Sequence, residues 1–150
     1  MGSFLFLLLT SCLAFNSTDV MVKPMLHTMK DCSSSSHIGH ITSLTMDPSA
    51  PVSGQYVVIS MDYLLDSDVT GGTAKYTASF NGFPFTPTVD DLCTDLAETN
   101  TPCPLLAGPI HFESINQIGD GTTHGTIDVT VTWTDSANVE ILCWEFVVRV

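Results

Sequence analysis

The chain has few cations. Lys and Arg together number 4 against 16 Asp and Glu, so the formal net charge is −12 at pH 7. A basic surface that neutralises phosphates cannot be assembled from Lys23, Lys30, Lys75 and Arg149. The composition therefore excludes nucleic acid as a partner, and it disfavours recruitment to anionic lipid by charge alone at neutral pH.

Long apolar runs are also scarce. The run from Phe4 to Leu9 is too short to span a bilayer, and no later run reaches about 18 residues. It is typical of the apolar region of a signal peptide, with small residues Cys12 and Ala14 before a cut after Ala14, although no basic residue precedes it. We expect residues 1–14 to be a signal peptide, residues 15–29 an N-terminal leader, and residues 30–150 one folded domain.

Catalytic motifs are missing from the sequence. It contains no G-x-S-x-G elbow, no H-E-x-x-H and no glycine-rich phosphate loop. The segment that begins at Asp66 resembles the start of an EF-hand loop, but its twelfth position is Thr77, which cannot supply the bidentate carboxylate. An Asp- and Gly-rich turn is the better interpretation. The sequence predicts no enzyme and no cofactor.

Two further groups of polar residues are interpreted as structural. His37 and His40 are three residues apart, which on a strand would send them to opposite faces, so they are predicted to be surface histidines and not a metal site. Asp90 and Asp91 lie beside a cysteine and proline-containing turns, where solvation is the simple interpretation. We therefore expect no metal ion.

The cysteine count indicates an oxidising compartment. Without Cys12, the four cysteines Cys32, Cys93, Cys103 and Cys143 remain, with no C-x-x-C pair that would favour zinc. An even number in a small secreted domain predicts two disulfides, and the count alone leaves three connectivities open. Asn16 begins an Asn-Ser-Thr sequon and is a candidate glycosylation site.

Short strand-like runs separated by turns occupy the rest of the chain, and no segment has a clear helical pattern. The clearest alternation runs from Thr126 to Thr134, with Val129, Val131 and Trp133 on one face and mostly threonines on the other. A second apolar row follows at 142–150. The runs are 38–46, 55–65, 73–85, 109–118, 126–134 and 142–150. This pattern predicts an all-β, antiparallel, immunoglobulin-like sandwich of two sheets.

Several segments, in order, resemble the ML (MD-2-related lipid-recognition) family. The opening Lys30-Asp31-Cys32 and the strand Cys143-Trp144-Glu145 are most similar to its Niemann-Pick type C2 sterol-transfer branch. Other segments are also similar to its phosphatidylglycerol/phosphatidylinositol-transfer branch. The matching segments are Lys30-Asp31-Cys32, 38–48 with Asp47-Pro48, Gly54-Gln55-Tyr56, Leu92-Cys93, Pro102-Cys103-Pro104-Leu105 with Ala107-Gly108, and Leu142-Cys143-Trp144-Glu145-Phe146.

The resemblance implies that a lipid lies in a cavity between the two sheets. It implies the disulfides Cys32–Cys143 and Cys93–Cys103, while a further short disulfide of the sterol branch has no counterpart here. Phe83-Pro84-Phe85, Ile110 and Phe112 are expected at the cavity mouth. The predicted lining residues are Tyr63, Tyr76, Phe80, Phe83, Phe85, Ile110, Phe112, Val131, Trp133, Trp144 and Phe146, from inward rows that also include Val57, Ile59, Met61, Ala78, Val129 and Val148.

The function implied by this resemblance is that of a lipid carrier. We expect a secreted or luminal protein, in an acidic compartment or outside the cell, that holds a sterol and delivers it to membranes. The alternatives are phosphatidylglycerol/phosphatidylinositol transfer and an immunoglobulin-like, lipid-sensing interaction module. The expected partners are the sterol or phospholipid, a transient membrane contact and a lipid-accepting membrane protein, and the chain is expected to be a monomer.

Overall fold

The computed structural model describes residues 27–121 and 124–150. The predicted signal peptide, most of the predicted leader and the Asn16 sequon lie outside this part of the chain. Within it, no helix has the length and hydrophobicity needed to cross a membrane.

The regular secondary structure of the described residues consists of β-strands and one short helix, joined by turns and loops. Each strand ends at or near one of the turns that separate the strand-like runs of the sequence. The elements are β1 Thr28–Asp31, β2 Gly39–Asp47, β3 Tyr56–Leu65, β4 Gly72–Phe80, β5 Phe83–Pro84, β6 Thr88–Asp91, α1 Leu92–Leu96, β7 Gly108–Gln117, β8 Thr126–Asp135 and β9 Glu140–Arg149.

The strands build two antiparallel sheets. The larger has the order β1-β9-β8-β4-β5, with β6 also pairing with β4, and the smaller has the order β2-β3-β7. Strand β7 is therefore an edge strand of the smaller sheet. The prediction of an all-β antiparallel sandwich is confirmed.

Two elements differ from the sequence-based expectation. Strand β1 lies at the end of the predicted leader and pairs with β9, so that Lys30 contacts Glu145 with 2.9 Å between Nζ and Oε1. Helix α1 falls where only turns were expected. It forms because the Asp91 side chain accepts a hydrogen bond from the Thr94 backbone N–H, which caps its first turn. That bond also lowers the pKa of Asp91.

The apolar faces of the two sheets pack together as two adjoining clusters of buried side chains. One surrounds Trp133 and includes Tyr63, Leu142 and Trp144. The other contains Met46, Val57, Ile59, Ile118, Val148 and Val150. Burial of alternate side chains along β3 and β8 supplies this core, as their period-two patterns predict.

Two disulfides close loops of very different length. Cys32 and Cys143 are 111 residues apart in sequence and join the segment after β1 to β9, and Cys93 and Cys103 are 10 apart and join α1 to the chain before β7. This is the connectivity that the family resemblance implies. The first bridge therefore joins the two ends of the domain, and the second stabilises the position of α1.

Strands β4 and β5 form a hairpin whose two-residue loop is Asn81-Gly82. Both residues have positive φ, 50° and 81°, which is the conformation that an Asn-Gly pair favours in a tight hairpin turn. Because the hairpin lies at the edge of the larger sheet, Phe83 and Phe85 are 77% and 58% exposed.

Candidate functional site

A cavity of about 770 Å³ lies between the two sheets. Cavities that bind small molecules are typically about 300–1,000 Å³, mostly apolar, with a few polar groups. Its apolar lining is Ile59, Tyr76, Leu96, Phe112, Ile115, Val129, Val131, Trp133, Trp144 and Phe146. Both sheets contribute to this lining, so a ligand in the cavity would contact both layers of the sandwich.

Strand register explains why residues distant in sequence meet in this cavity. Val131 is the Cα partner of Tyr76 on one side and of Trp144 on the other. Two residues earlier on β8, Val129 is paired with Phe146. Side chains of directly paired residues lie on the same face of a sheet. The larger sheet therefore presents a continuous apolar surface to the cavity.

Aromatic rings form the inner wall. The Trp133 ring stands edge-on to Trp144 and to Phe112, with centroids 5.0 and 5.3 Å apart. Neither indole N–H has an acceptor among the described residues, and the same holds for the hydroxyl of Tyr63, whose pKa is raised by burial. The wall is thus apolar apart from the indole N–H groups of Trp133 and Trp144, which have no acceptor in the described part of the chain.

The mouth of the cavity is polar and acidic. Four carboxylates line it, and the described lining contains no Lys, Arg or His. Three of the four lie in residues 90–100, which we call the mouth segment. The polar lining residues are Asp90, Thr94, Asp95, Glu98, Thr99, Asn100, Glu113, Ser114 and Asn116.

Hydrogen bonds attach the mouth segment to both sheets. The Tyr76 hydroxyl donates to Asp95 Oδ2 at 2.8 Å, and burial followed by this bond raises the pKa of Tyr76. On the other side, Asn100 Nδ2 donates to the His111 carbonyl at 3.0 Å, and Asn100 Oδ1 accepts from the Glu113 N–H at 2.8 Å. The Asn100 amide thereby satisfies backbone groups on the exposed edge of β7.

Replacing Asn100 by Ala should loosen the mouth. The variant loses two hydrogen bonds to β7, each worth about 0.5–1.5 kcal/mol, so we expect the free energy of unfolding to fall by roughly 1–3 kcal/mol. Hydrogen exchange measured by NMR should show faster exchange of the Glu113 amide. Asn116→Ala is the matched control, because the Asn116 side chain, among the described residues, bonds to Ser114 and not to the backbone of β7. Equal Glu113 exchange in both variants would contradict this role of Asn100.

A cluster of charged residues lies beside the mouth on the outer face of the smaller sheet. His111 Nδ1 is 2.7 Å from Asp62 Oδ1, and His111 Nε2 is 3.3 Å from Glu113 Oε1. The bond to Asp62, and then that to Glu113, raises the pKa of His111 above its ordinary value of 6.5. His111 therefore keeps its positive charge next to the acidic mouth up to a higher pH than a histidine without these partners would.

This raised pKa predicts a pH dependence. A histidine whose pKa is higher in the folded state contributes stability that is fully present below its unfolded pKa and is lost as the pH rises through its folded pKa. We expect an NMR titration of His111 to have a midpoint above 6.5, and Asp62→Asn to lower it more than Glu113→Gln does. A midpoint that Asp62→Asn leaves unchanged would be inconsistent with the pairing.

The structure brings together six of the eleven residues predicted to line the cavity. These six are Tyr76, Phe112, Val131, Trp133, Trp144 and Phe146. Tyr63 lies in the core, Ile110 packs against that core, and Phe80 is half-buried near the β4–β5 hairpin. Phe83 and Phe85 are exposed on the hairpin. Of the residues predicted at the mouth, only Phe112 lines the cavity.

Sequence reasoning missed the polar mouth. Asp90 was interpreted as a solvated turn residue, yet it lines the cavity, because β6 pairs with β4 next to Tyr76. Glu98 and Asn100 belong to the loop that the Cys93–Cys103 disulfide closes. The density of acidic residues between these cysteines was an available signal, but only the fold shows that this loop borders a cavity.

The cavity holds no catalytic arrangement among the residues that the structure describes. Its hydroxyl groups, on Tyr76, Thr94, Thr99 and Ser114, have no histidine or lysine beside them in the lining. Within 27–121 and 124–150, no three His, Cys, Asp or Glu side chains form a metal-ligand set. The fold and the site define a β-sandwich with a largely apolar cavity between its two sheets.

The chain belongs to the ML-domain family, whose model matches residues 27–150. This is a family of lipid-binding proteins and not of enzymes. Two relatives from Dictyostelium discoideum have names that describe them as phosphatidylglycerol/phosphatidylinositol transfer proteins. One is 30% identical over 110 residues, covering 71% of this chain and 72% of the relative. The other is 28% identical over 126 residues, covering 83% and 82%.

Solved structures share the fold. A Niemann-Pick type C2 protein from the Japanese carpenter ant has a TM-score of 0.64 at 16% identity, covering 81% of this chain and 98% of that one. Chicken MD-1, solved in complex with lipid IVa, has a TM-score of 0.64 at 17% identity, covering 85% and 91%. The architecture is thus that of a lipid-binding ML domain.

Proposed function

We propose that the protein carries a sterol in the cavity between its sheets and delivers it to membranes. The observation that carries this proposal is the composition of the described lining, which has ten apolar or aromatic residues and four carboxylates but no Lys, Arg or His. Such a cavity accommodates a rigid apolar body whose polar end carries no charge.

Apolar burial supplies the driving force. Transfer of apolar surface from water into a protein cavity gains about 25 cal/mol per Å². A ligand that buries about 300 Å² of its own surface against the rings would gain roughly 7 kcal/mol before the cost of its lost motion is subtracted. The rings of Phe112, Trp133 and Trp144 pack edge to face and offer a rigid apolar wall against which a fused-ring ligand can pack.

The acidic mouth argues against an anionic headgroup. Each carboxylate about 8 Å from a phosphate would cost about 0.5–2 kcal/mol, for effective dielectric constants of about 80 to 20. Asp90, Asp95 and Glu98 would all act in the same direction, whereas His111 offsets the charge of Glu113 when it is protonated. The hydroxyl of a sterol avoids this repulsion and can bond to a carboxylate or to the Asn116 amide.

Phosphatidylglycerol or phosphatidylinositol transfer is the second candidate. It is favoured by the names of the curated relatives, which are 27–30% identical to this chain. Under this alternative the acyl chains would fill the cavity and the headgroup would remain outside the mouth in water. The two candidates therefore differ in whether a negatively charged headgroup can lie next to the carboxylates of the mouth.

We propose further that the protein acts in an acidic lumen or outside the cell. Two disulfides support an oxidising compartment. At acidic pH, protonated histidines such as His111 would reduce repulsion between the acidic protein and an anionic membrane. Membrane contact and a lipid-accepting membrane protein belong to the same proposal.

A binding assay with two fluorescent ligands tests the proposal. The purified protein is titrated with dehydroergosterol and with an acyl-labelled phosphatidylglycerol, each at low and high salt. We expect sterol binding that is insensitive to salt, and weaker phosphatidylglycerol binding that strengthens as salt screens the mouth.

The variant Asp90→Asn/Glu98→Gln separates the alternatives. Removing two mouth charges should raise phosphatidylglycerol affinity several-fold and leave sterol affinity unchanged. Preferential binding of phosphatidylglycerol by the parent protein would support the second candidate and overturn the first. If neither lipid binds, the carrier function fails and an interaction module takes its place.

A further inference from the structure

A second site lies outside the cavity, where His37 and His40 meet. The expectation that they point to opposite faces is wrong, because His37 precedes β2 and only His40 belongs to the strand. Their rings meet edge to face with centroids 4.8 Å apart, and His37 Nε2 is 3.1 Å from His40 Nδ1. Both rings lie at the protein surface.

The outer partners of the two rings determine where their protons lie. His37 Nδ1 contacts the Ser34 carbonyl oxygen, and His40 Nε2 is 3.0 Å from Asp66 Oδ2. A carbonyl and an ionised carboxylate can only accept, so each of these nitrogens must carry the proton that it donates. In the neutral rings, His37 Nε2 and His40 Nδ1 are therefore both unprotonated and face each other at 3.1 Å. A cation that both nitrogens share, a proton or a metal ion, would relieve the repulsion between their lone pairs.

The spacing of these nitrogens suits a metal ion. With metal–nitrogen bonds of about 2.0–2.1 Å, two nitrogens on one metal lie about 2.9 Å apart at a right angle and about 3.3 Å apart at the tetrahedral angle. The observed 3.1 Å lies between these values. Metal-binding histidines also typically donate their other N–H to a carboxylate or a backbone carbonyl, which is the role of Asp66 and Ser34 here.

The surrounding backbone holds both rings in place. The N–H of Ile38 donates to the Glu140 carbonyl at 3.1 Å, and its own carbonyl accepts from the Asp66 N–H at 2.9 Å. The Glu140 side chain accepts from the Ser34 N–H. These bonds fix the backbone of Ile38, which follows His37, and the groups that orient both rings.

We propose that His37 and His40 bind one divalent transition-metal ion of the kind that prefers imidazole, such as Zn²⁺, Ni²⁺ or Cu²⁺. No third His, Cys, Asp or Glu in the described ranges completes a ligand set, so water occupies the remaining positions. The bound ion is therefore exchangeable. It links the start of β2 to the turn after β3 through the His40–Asp66 pair.

Titration of the purified protein with NiCl₂ and with ZnCl₂ at pH 7.5, followed by calorimetry, tests this site. We expect one equivalent to bind and to raise the melting temperature, because a ligand of the folded state stabilises it. His37→Ala and His40→Ala should each weaken binding at least tenfold, and Asp66→Asn should weaken it by about tenfold. The matched control is His111→Ala, another exposed histidine between carboxylates, which should bind like the parent.

Three results would overturn the site. One is the absence of metal binding, which would leave a shared proton as the only cation between the rings. Another is binding that His37→Ala and His40→Ala leave intact. The third is binding that His111→Ala abolishes, which would place the ion at Asp62 and Glu113. Circular dichroism of each variant separates lost ligands from lost folding.

Discussion

Replacing Val129 by Trp is expected to lower sterol affinity by about 20- to 200-fold with the fold retained. Val129 is half-buried in the middle of β8 and lines the cavity. A tryptophan buries about 150–250 Å²; if it removes half of that area from ligand contact, the loss at about 25 cal/mol per Å² is roughly 2–3 kcal/mol. Dehydroergosterol titration measures the change.

The control for this experiment is Phe85→Gln. Phe85 is exposed on the β4–β5 hairpin and does not line the cavity, so this variant should bind sterol like the parent. If Val129→Trp unfolds the domain, Val129→Phe tests the same space with a smaller ring. Undiminished sterol binding by a folded Val129→Trp protein would show that the ligand lies elsewhere.

Removing the Cys32–Cys143 disulfide is expected to lower the free energy of unfolding more than removing the Cys93–Cys103 disulfide does. For a bridge that closes 111 residues, the chain-entropy model predicts a loss of about 4–5 kcal/mol. Domains of this size have only about 5–15 kcal/mol of stability in total. Urea unfolding of Cys32→Ala/Cys143→Ala should therefore show a much lower midpoint.

The matched variant is Cys93→Ala/Cys103→Ala. Its loop spans 10 residues, so the same model predicts a smaller loss of about 2–3 kcal/mol. This bridge holds α1 beside the mouth. We therefore expect Cys93→Ala/Cys103→Ala to lower sterol affinity even though its loss of stability is the smaller of the two. Equal losses of stability in the two variants would argue against the entropic account and for strain or residual structure in the unfolded chain.

The residues on the cavity wall show how far sequence reasoning reaches. The alternation in β8 predicts that Val131 and Trp133 share an inward face, and the structure places both in the lining. The same alternation cannot tell which of two inward-facing tyrosines, Tyr63 or Tyr76, lines the cavity. Tyr63 is covered by the core around Trp133, whereas Tyr76 lies beside α1 and lines the cavity.

Local patterns failed where a partner distant in sequence decides the structure. Strand β1 is a strand only because β9 offers it an edge, and a four-residue segment has too little periodicity to reveal that. The contact between His37 and His40 depends on where β2 begins. Its first residue, Gly39, packs so closely against Leu142 that a side chain would not fit without movement.

The sequence by itself determined the class of the fold, the absence of a catalytic motif and the apolar faces of the long strands. Period-two alternation and turn residues are local signals, and composition is a property of the sequence itself. All three can therefore be interpreted before the fold is known. The tertiary structure alone decided that carboxylates of the mouth segment and of β7 surround one opening. That arrangement depends on strand order and on a mouth segment attached to both sheets, and these contacts join residues that no local pattern relates.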